Sequence, residues 1–432
     1  MQTRFSPDQL ADPATAAAEA VLRKCVHCGF CLATCPTYAL LGDELDSPRG
    51  RIYLIKDMLE NRRRPTAQVV KHVDRCLSCL SCMTTCPSGV DYRRLVDHAR
   101  VYIEANHQRP LADRLIRRLL ALVLPHRARF RVAAALGRLA RPLAPLLRRS
   151  PALQPLAAML DLAPATAAQP AGAGNASHPA AGARRGRVIL MQGCVEAEIA
   201  PQIRAATVRL LTRAGYDVEL TAAEGCCGAL VHHLGREADA LTSARRNVAA
   251  WRPWVETGEL AAIVVTASGC GSMVKDYGHL LKDDPVLAEP AARIAALARD
   301  IVEVLAAAPP PPTGAAQGLR VAYQSPCSLQ HGQQIRLQPR ALLEAAGFAV
   351  SEPAGAHLCC GSAGVYNILQ PEISAQLLAR KAASLTALGP AVVATSNIGC
   401  LTQIARAAKV PVVHIAELLD WASGGPKPAA MD

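Results

Sequence analysis

The chain has 432 residues, of which 51% are hydrophobic and 3% aromatic, with 16 cysteines and a formal net charge of +12 at pH 7. This length fits two or three domains of about 100 to 200 residues. The apolar content excludes a chain that is disordered over its whole length. No apolar run approaches the roughly 18 residues that a membrane helix needs, and residues 1–24 lack the pattern of a signal peptide. We therefore expect a cytoplasmic protein with reduced cysteines, which favours metal binding over disulfides.

The first eight cysteines form two copies of one motif. The run from Cys25 to Pro36 has the spacing C-x2-C-x2-C-x3-C-P, and the run from Cys76 to Pro87 repeats it. In bacterial two-cluster ferredoxins with this spacing, the fourth cysteine of each run ligates the other cluster. We therefore predict two [4Fe-4S] clusters with exchanged ligands. The predicted ligands are Cys25, Cys28, Cys31 and Cys86 for the first cluster, and Cys76, Cys79, Cys82 and Cys35 for the second.

Zinc is the alternative metal for these thiols, because it also takes four thiolates. Zinc ribbons use two separated C-x2-C pairs, whereas each run here has three cysteines in tandem and a fourth before proline. We expect the apolar neighbours Val26, Phe30, Leu77 and Leu80 to exclude water from the clusters. His27 either tunes a cluster, relays a proton or is an ordinary surface histidine.

The positive charge is concentrated after this region. Residues 109–149 contain eleven arginines and one acidic residue, so the rest of the chain is nearly neutral. Leucines and alanines near helical spacing predict a connector of two or three amphipathic helices over 109–162, broken at Pro125, Pro142 and Pro145. Its arginines form either solvated helix faces or a contact for anionic lipid or an acidic subunit. No recognisable nucleic-acid-binding fold presents these arginines, so we expect no nucleic-acid partner.

Two low-complexity segments divide the rest of the chain. Residues 163–186 are rich in Ala, Pro and Gly and predict a flexible linker, and residues 306–318 predict a second, proline-rich linker. These linkers set the predicted domain boundaries. A ferredoxin-like domain at 1–108 precedes the connector, and two α/β repeats lie at 187–305 and 319–425.

Both repeats alternate strands with helices in the same order. The first is predicted to have strands at 187–192, 216–220 and 261–266 and helices at 201–214 and 235–251. The second has strands at 320–324, 348–350 and 391–395 and helices at 338–346 and 372–388. Such alternation predicts parallel sheets with right-handed crossovers. The expected fold class is therefore α+β and multidomain, with an α-helical two-[4Fe-4S] ferredoxin-like domain followed by two repeated α/β cysteine-rich domains.

The second eight cysteines lie at matched positions of these repeats. Each repeat has one cysteine after its first strand, a Cys-Cys-Gly after its second and a Gly-Cys after its third: Cys194, Cys226, Cys227 and Cys270, then Cys327, Cys359, Cys360 and Cys400. The carboxyl ends of parallel strands share one edge, so four thiols are able to converge in each repeat. This favours further redox or cluster chemistry, with inert packing of buried cysteines as the alternative. Nearby side chains are either additional ligands or polar surface: His232, His233, Glu224, His331 and His357.

The motifs together resemble one family. The run Cys25-Val-His-Cys-Gly-Phe-Cys-Leu-Ala-Thr-Cys-Pro-Thr-Tyr38, its continuation over Leu41–Leu54 and the two Cys-Cys-Gly repeats are similar to the iron-sulfur subunits of bacterial glycolate oxidase. The resemblance implies an electron-transfer subunit of an oxidoreductase that acts on the CH-OH group of 2-hydroxy acids. In that family FAD-containing partner subunits oxidise glycolate to glyoxylate, and the iron-sulfur subunit passes electrons toward a membrane-associated acceptor. The resemblance also implies a hetero-oligomer with those FAD-containing subunits, and peripheral contact with the cytoplasmic face of the inner membrane.

Other functions stay open at this point. The iron-sulfur subunits of anaerobic glycerol-3-phosphate dehydrogenase and of lactate dehydrogenase are alternatives, as is a docking module whose repeat cysteines are relics. The repeats also resemble the catalytic subunit of heterodisulfide reductase, so a reductase that acts at the Cys-Cys-Gly sites is a further alternative. That family's motif ends in C-x-x-C, whereas Cys270 and Cys400 stand alone. The chain has no G-x-G-x-x-G after a strand, no P-loop and no evident catalytic constellation. We therefore expect no catalytic residue and no flavin site in this chain.

Overall fold

A computed structural model of the protein describes residues 1–164 and 174–432. Residues 1–108, all of them described, form α-helices and no strand, as predicted for the ferredoxin-like region. A 3-10 turn at Glu44–Asp46 lies between the third and fourth helices. The helices are α1 (Pro7–Leu10), α2 (Pro13–Lys24), α3 (Pro36–Leu41), α4 (Pro48–Glu60), α5 (Ala67–Asp74), α6 (Ser81–Thr85) and α7 (Tyr92–Asn106).

Proline and capping residues determine where these helices begin. The Asp12 side chain accepts a hydrogen bond from the backbone N–H of Thr15 at 2.8 Å, and Pro13 is the first residue of α2. Proline is favoured at this position because its missing N–H would have no partner there. Pro36 begins α3 in the same way, directly after Cys35. The proline of the first cysteine run thus starts a helix that leads the chain away from the preceding thiols.

The connector is helical and is broken near its prolines. Its α-helices are α8 (Leu111–Val123), α9 (Arg127–Ala140), α10 (Ala144–Leu147) and α11 (Gln154–Leu162). Pro125 lies between α8 and α9, and Pro142 lies in a 3-10 turn, Arg141–Leu143. The expected break at Pro145 is absent, because Pro145 lies in the first turn of α10, where a proline is tolerated. Residues 109–162, all within the described part of the chain, therefore contain four α-helices where two or three were predicted. Within residues 1–164 and 174–432, no helix combines the length and the apolar character that a membrane crossing requires.

Two mainly parallel sheets form the second half of the chain. In the described part of this half the strands are β1 (Ala176–His178), β2 (Gly186–Leu190), β3 (Tyr216–Leu220), β4 (Leu260–Val265), β5 (Ala298–Asp300), β6 (Arg320–Gln324), β7 (Ala349–Ser351), β8 (Val392–Thr395) and β9 (Val412–His414). The first sheet has the order β1-β3-β2-β4-β5, and the second has the order β7-β6-β8-β9. All pairs are parallel except β1 with β3. The predicted α/β repeats with parallel sheets are therefore confirmed.

Helices connect these strands and cover the sheets. Those of the first repeat are α12 (Glu196–Ile199), α13 (Pro201–Arg213), α14 (Ala229–His233), α15 (Glu237–Glu256), α16 (Ser268–Val274), α17 (Tyr277–Leu280), α18 (Ala288–Leu297) and α19 (Ile301–Ala307). Those of the second are α20 (Gln338–Ala345), α21 (Tyr366–Leu369), α22 (Pro371–Thr386), α23 (Ile398–Ala405) and α24 (Ile415–Ala422). A π-helical turn, Ser328–Gly332, follows Cys327.

The prediction of a flexible linker over 163–186 is wrong for part of this segment. Ala176–His178 forms β1, which pairs antiparallel with β3 at the sheet edge, and the Ser177 hydroxyl donates to Glu219 at 3.0 Å. This pairing is between distant residues, so small side chains in a low-complexity sequence gave no local signal of it. Residues 165–173 of the same segment lie outside the described residues.

The two repeats share one apolar core. A single cluster of buried side chains includes Val188 and Leu210 of the first repeat and Tyr323 and Leu419 of the second. The segment predicted as a proline-rich linker lies against this core, because the Thr313 N–H donates to the carbonyl oxygen of Ala422 at 2.8 Å. The repeats are therefore packed together and not merely joined by a tether.

A buried histidine in this half makes stability depend on pH. His414 is fully buried at the end of β9, its Nε2 lies 3.2 Å from the carbonyl oxygen of Thr266, and its Nδ1 accepts from the N–H of Ala416. Burial lowers the pKa of His414 to about 4. As the pH falls below the unfolded value of 6.5, the unfolded chain takes up the proton first, so the native state loses stability between pH 6.5 and 4.

We expect His414→Asn to weaken this acid sensitivity. At pH 5 the buried histidine should contribute a loss of about 2 kcal/mol relative to pH 8, because each pKa unit corresponds to about 1.4 kcal/mol. Urea unfolding of both proteins at the two pH values measures the difference. Parallel losses in the wild type and the variant would contradict the assignment.

Candidate metal centres

The cysteines of the first predicted cluster line one cavity. Cys25, Cys28, Cys31 and Cys86 all contribute to a space of about 440 Å³ that opens to solvent, and Cys82 also borders it. Cys86 is distant in sequence from the other three predicted ligands, yet the fold brings it to them. Thiols around one cavity fit an iron-sulfur cluster in the type of donor, and the four predicted ligands are among the five cysteines that border it.

The backbone of the two cysteine runs turns at matched positions. His27 and Gly29 flank Cys28 with φ of 54° and 86°, and Ser78 and Leu80 flank Cys79 with φ of 50° and 61°. A side chain at positive φ is uncommon, and such conformations concentrate at functional sites. The turns direct N–H groups inward, and that of Ser78 donates to the sulfur of Cys76 at 3.4 Å. Gly29 was a sequence signal for this turn, whereas Leu80 gave none.

The two groups of cysteines differ in their exposure. Leu77 and Leu80 are each 7% exposed, as expected for residues that exclude water near the second group. The expectation for the first group is wrong, because Val26 is 65% and Phe30 63% exposed. These side chains project from a loop that no element of the described chain covers. The first group therefore lies at the surface.

His27 is partly enclosed at this surface. Its ring lies 4.2 Å from the ring of Tyr53, centroid to centroid, and its carbonyl oxygen accepts from Arg49 Nη1 at 3.3 Å. Burial, followed by the positive charges of the N-terminus and Arg49, lowers the pKa of His27. A neutral ring packed on a tyrosine is thus the form that the structure favours.

The cysteines of the second predicted cluster are all buried: Cys35, Cys76, Cys79 and Cys82. Burial raises the pKa of the Cys79 thiol, and the neighbouring thiols Cys327 and Cys35 raise it further. Burial likewise raises the pKa of Cys82, with contributions from Cys79, Cys76 and Cys35. Cys35, the distant member of this set, is therefore within electrostatic reach of the others.

The second group adjoins the second repeat. Cys79 belongs to one buried apolar cluster with Cys359 and Tyr366, and Cys327 packs against that cluster. The Tyr366 hydroxyl donates to the carbonyl oxygen of Arg75, the residue before the second cysteine run, at 3.0 Å. This contact between a ferredoxin-type motif and a Cys-Cys-Gly motif joins residues far apart in the chain, and no sequence pattern indicated it.

Four thiols converge in each repeat, as the matched positions predict. In the first repeat Cys194 Sγ lies 3.6 Å from Cys226 Sγ, and in the second Cys327 Sγ lies 3.8 Å from Cys359 Sγ. The remaining members complete each set through a Cys227–Cys270 hydrogen bond and a Cys360–Cys400 contact at 3.4 Å. Thiolates around one tetrahedral ion with bonds of about 2.3 Å stand about 3.8 Å apart. The spacing therefore suits metal ligation, and a larger cluster requires the thiols to move apart.

The polar side chains near these thiols have other partners. Glu224 accepts from the Trp251 indole N–H at 2.8 Å and from the N–H of Gln192, and burial raises the pKa of Glu224 to about 7. His331 Nδ1 lies 2.8 Å from Thr84 Oγ1, and its Nε2 lies 3.1 Å from the carbonyl oxygen of His357. Glu224 and His331 are thus engaged in tying elements together.

His232 and His233 face a different residue. Their Nδ1 atoms lie 3.7 and 3.9 Å from the carboxylate oxygens of Asp97 in α7. The two histidines therefore meet the ferredoxin-like region, and their partner was not apparent from the sequence.

Comparison with known proteins agrees with this organisation. Residues 24–90 match the model of a 4Fe-4S dicluster domain, and residues 188–275 and 321–405 each match that of a cysteine-rich domain. These matches indicate iron-sulfur clusters as the cofactors of the chain. They cover the cysteine motifs of both halves.

Relatives match along nearly the entire chain. The glycolate oxidase iron-sulfur subunit of Escherichia coli K12 is 40% identical over 422 residues, 98% of this chain and 99% of the relative. A probable glycolate oxidase iron-sulfur subunit of Bacillus subtilis is 35% identical, with 94% of this chain and 95% of the relative covered. Lactate utilization protein A of Bacillus subtilis is 29% identical over 54% of this chain and 99% of the relative. The chain belongs to the family of glycolate oxidase iron-sulfur subunits.

Proposed function

We propose that this chain is the electron-transfer subunit of a glycolate oxidase complex. The single observation that supports this most strongly is the placement of its thiol groups, with Cys28 exposed at the surface and Cys79 buried beside Cys327 and Cys359. A group of thiols at the surface next to a group in the interior suits the transfer of electrons from a partner subunit into this chain. Full-length similarity to glycolate oxidase iron-sulfur subunits supports the same function.

Two [4Fe-4S] clusters are proposed at the first eight cysteines, with the exchanged ligand sets given above. When bound, such clusters supply one-electron transfer. The chain contributes the insulation and the charge around them. Leu77, Leu80 and Tyr92 bury the second group, and the buried guanidinium of Arg51 reaches to 3.9 Å from the sulfur of Cys35. A nearby positive charge stabilises thiolate ligands.

The exposed apolar side chains around the first group are the proposed contact for an FAD-binding partner subunit. Val26 and Phe30 border the cavity of the first group, and Tyr53, which packs on His27, is 55% exposed. Aromatic and apolar side chains at the surface favour a protein interface. A partner subunit that docks on this surface lies beside the first group of cysteines, which is the group nearer to solvent.

Phe30→Glu is expected to weaken the complex with the FAD-binding subunits by about tenfold or more, because a charge replaces an apolar contact at the centre of the interface. Affinity of the purified partners, measured by surface plasmon resonance, tests this. Val286→Glu is the matched control, since Val286 is 65% exposed but lies outside both the first group and the connector. Equal effects of both substitutions would contradict a partner face at the first group.

Reduction by substrate tests the proposed function directly. In the complex with its FAD-binding subunits, glycolate should bleach the iron-sulfur absorbance of this chain faster than lactate or glycerol 3-phosphate does. Preference for lactate would assign the chain to the alternative suggested by the lactate utilization relatives. No reduction by any of the three would contradict the proposal.

The repeats are proposed to hold additional metal at their four-thiol sets. Iron at these sets would extend the electron-transfer path inward from the second group of thiols, because Cys79 and Cys359 pack together in one buried set of side chains. A reductase acting at a Cys-Cys-Gly site, like heterodisulfide reductase, is the second candidate function, and the closeness of four thiols in each repeat is the observation that favours it. Reduction of a disulfide by the isolated chain, supplied with an artificial one-electron donor that delivers two electrons per disulfide, would distinguish it.

The connector is proposed to contact an anionic membrane. Exposed apolar side chains repeat at helical spacing along α8 and α9, and these are Leu111, Leu115, Leu119, Leu122, Val132, Leu136 and Leu139. Arg114, Arg118 and Arg141 are exposed in the same segment. Apolar stripes bordered by arginine are typical of helices that lie in a membrane interface. Other arginines serve the fold instead, as Arg131 does by pairing with the buried Glu198 at 2.8 Å.

The full chain is therefore expected to float with phosphatidylglycerol vesicles at low salt and to do so less at high salt, since each arginine contributes about 1 kcal/mol near an anionic surface. Leu136→Glu should reduce flotation, whereas Val286→Glu, at an exposed apolar position outside the connector, should not. Flotation that neither salt nor Leu136→Glu changes would contradict lipid contact, and binding of an acidic subunit would then explain the connector.

A further inference from the structure

Three metal-binding side chains meet between the ferredoxin-like region and the first repeat. Asp97 lies in α7, and His232 and His233 end α14. One ligand atom from each of the three lies within 4.8 Å of the other two. The Asp97 oxygens are 3.7 Å from His232 Nδ1 and 3.9 Å from His233 Nδ1.

The carboxylate is buried without the hydrogen bonds that burial normally requires. Asp97 is 7% exposed, and among the described residues its Oδ1 has no hydrogen-bond partner. The Nδ1 of His233 is also buried and has no partner in the same part of the chain. Buried polar atoms are nearly always satisfied, so each exception calls for an explanation such as a bound ion.

The nearest cations do not supply the missing bonds. Arg100 lies 3.8 Å from Asp97 Oδ1, beyond hydrogen-bond distance. Its guanidinium donates instead to the Ser78 hydroxyl and to the carbonyl oxygen of Cys76, each at 2.6 Å. Arg100 therefore interacts with the carboxylate only electrostatically, at a distance similar to those of the two imidazoles.

We propose that Asp97, His232 and His233 bind a divalent transition-metal ion. Two imidazole nitrogens and one carboxylate oxygen form a donor set that suits Zn²⁺ or Fe²⁺. Tetrahedral bonds of about 2.0 to 2.1 Å place ligand atoms about 3.3 Å apart. The two distances from Asp97 to the histidines therefore need to contract by about half an ångström, and the distance between the two histidine nitrogens, at most 4.8 Å, by no more than about 1.5 Å. The ion would tie α7 to α14 and so fix the ferredoxin-like region on the first repeat. This inference does not rest on the proposed function.

Zinc titration of the full chain, with its cysteines already loaded with iron and sulfide, tests the site. We expect one zinc per chain, and His232→Gln should weaken its affinity about 100-fold or more, because even residues that only support a ligand contribute about 10- to 100-fold. The matched control is His279→Gln, an exposed histidine in α17, which should leave the affinity unchanged. Iron content of each variant reports whether the chain has folded and kept its clusters.

Extended X-ray absorption fine structure at the zinc edge of the wild type identifies the ligands. A shell of nitrogen and oxygen at about 2.0 to 2.1 Å supports the site, whereas sulfur at about 2.3 Å would place zinc on cysteines and overturn it. The proposal would also be overturned if the wild type bound zinc no more tightly than the His232→Gln variant does. Asp97 and the two histidines would then be neighbouring polar side chains that hold no metal ion.

Discussion

Removing Cys25 and Cys86 together is expected to destroy one [4Fe-4S] cluster and leave the other intact. Both residues line the cavity of the first group, so the double substitution to alanine takes two of four ligands from the same cluster. Removing Cys25 and Cys35 is expected to leave no intact cluster, because Cys35 belongs with the second group and each cluster then loses a ligand. Mössbauer spectra of the two variants count the intact clusters.

The two variants are matched, since each lacks two cysteines and shares Cys25→Ala. If each run instead bound its own cluster, the results would be reversed. An intact cluster in the Cys25 and Cys35 variant, together with none in the Cys25 and Cys86 variant, would therefore contradict ligand exchange. General instability cannot produce that reversal, because both variants carry the same load of substitutions.

Asp46→Asn is expected to destabilise the ferredoxin-like region by about 3 to 5 kcal/mol, because it leaves a buried charge uncompensated. Asp46 is fully buried and lies 3.4 Å from Arg51, 2.9 Å from His72 and 2.7 Å from Arg75. Arg51 is itself 1% exposed. Its guanidinium has no access to solvent that could replace the carboxylate.

The same network supports the second group of thiols. The carbonyl oxygen of Asp46 accepts from the Thr37 hydroxyl at 2.7 Å and lies 3.5 Å from the sulfur of Cys35. Loss of Asp46 should therefore also loosen the position of Cys35. Urea unfolding followed by helical circular dichroism measures the stability, and iron content reports the second cluster.

Two further variants separate charge burial from general damage. Asp57→Asn removes an exposed pair with Arg63, and surface pairs contribute about 1 kcal/mol or less. Adding Arg51→Met to Asp46→Asn should recover part of the lost stability, because it removes the buried guanidinium that Asp46→Asn leaves without a compensating charge. A loss for Asp46→Asn no larger than that for Asp57→Asn would contradict the account.

Sequence spacing was sufficient where the chemistry is local. The predicted strands of both repeats form, because the alternation of strand and helix patterns is a short-range signal. The helical character of the ferredoxin-like region was expected only as part of its fold class, and no individual helix was predicted there. The convergence of four thiols in each repeat also followed from matched positions, since Cys194 and Cys226 follow adjacent parallel strands. Repetition within the chain made these expectations specific.

Contacts between distant residues were not predictable in this way. Nothing near Asp97 in the sequence marks it as the partner of His232, and nothing near Asp46 marks the buried Arg51, His72 and Arg75 around it. The exposure of Phe30 was also missed, because an apolar residue in a motif is equally compatible with a core and with an interface. The edge strand β1 pairs with β3, and the paired residues lie 40 to 44 positions apart in sequence, from His178 with Val218 to Ala176 with Leu220, so no local signal announced the strand.

Iron and acid-labile sulfide in the full chain, purified without oxygen, test the central claim most directly. Two [4Fe-4S] clusters at the first eight cysteines predict about eight iron atoms per chain, and clusters in the repeats raise this to about twelve to sixteen. Zinc in place of iron, with no labile sulfide, would contradict the account.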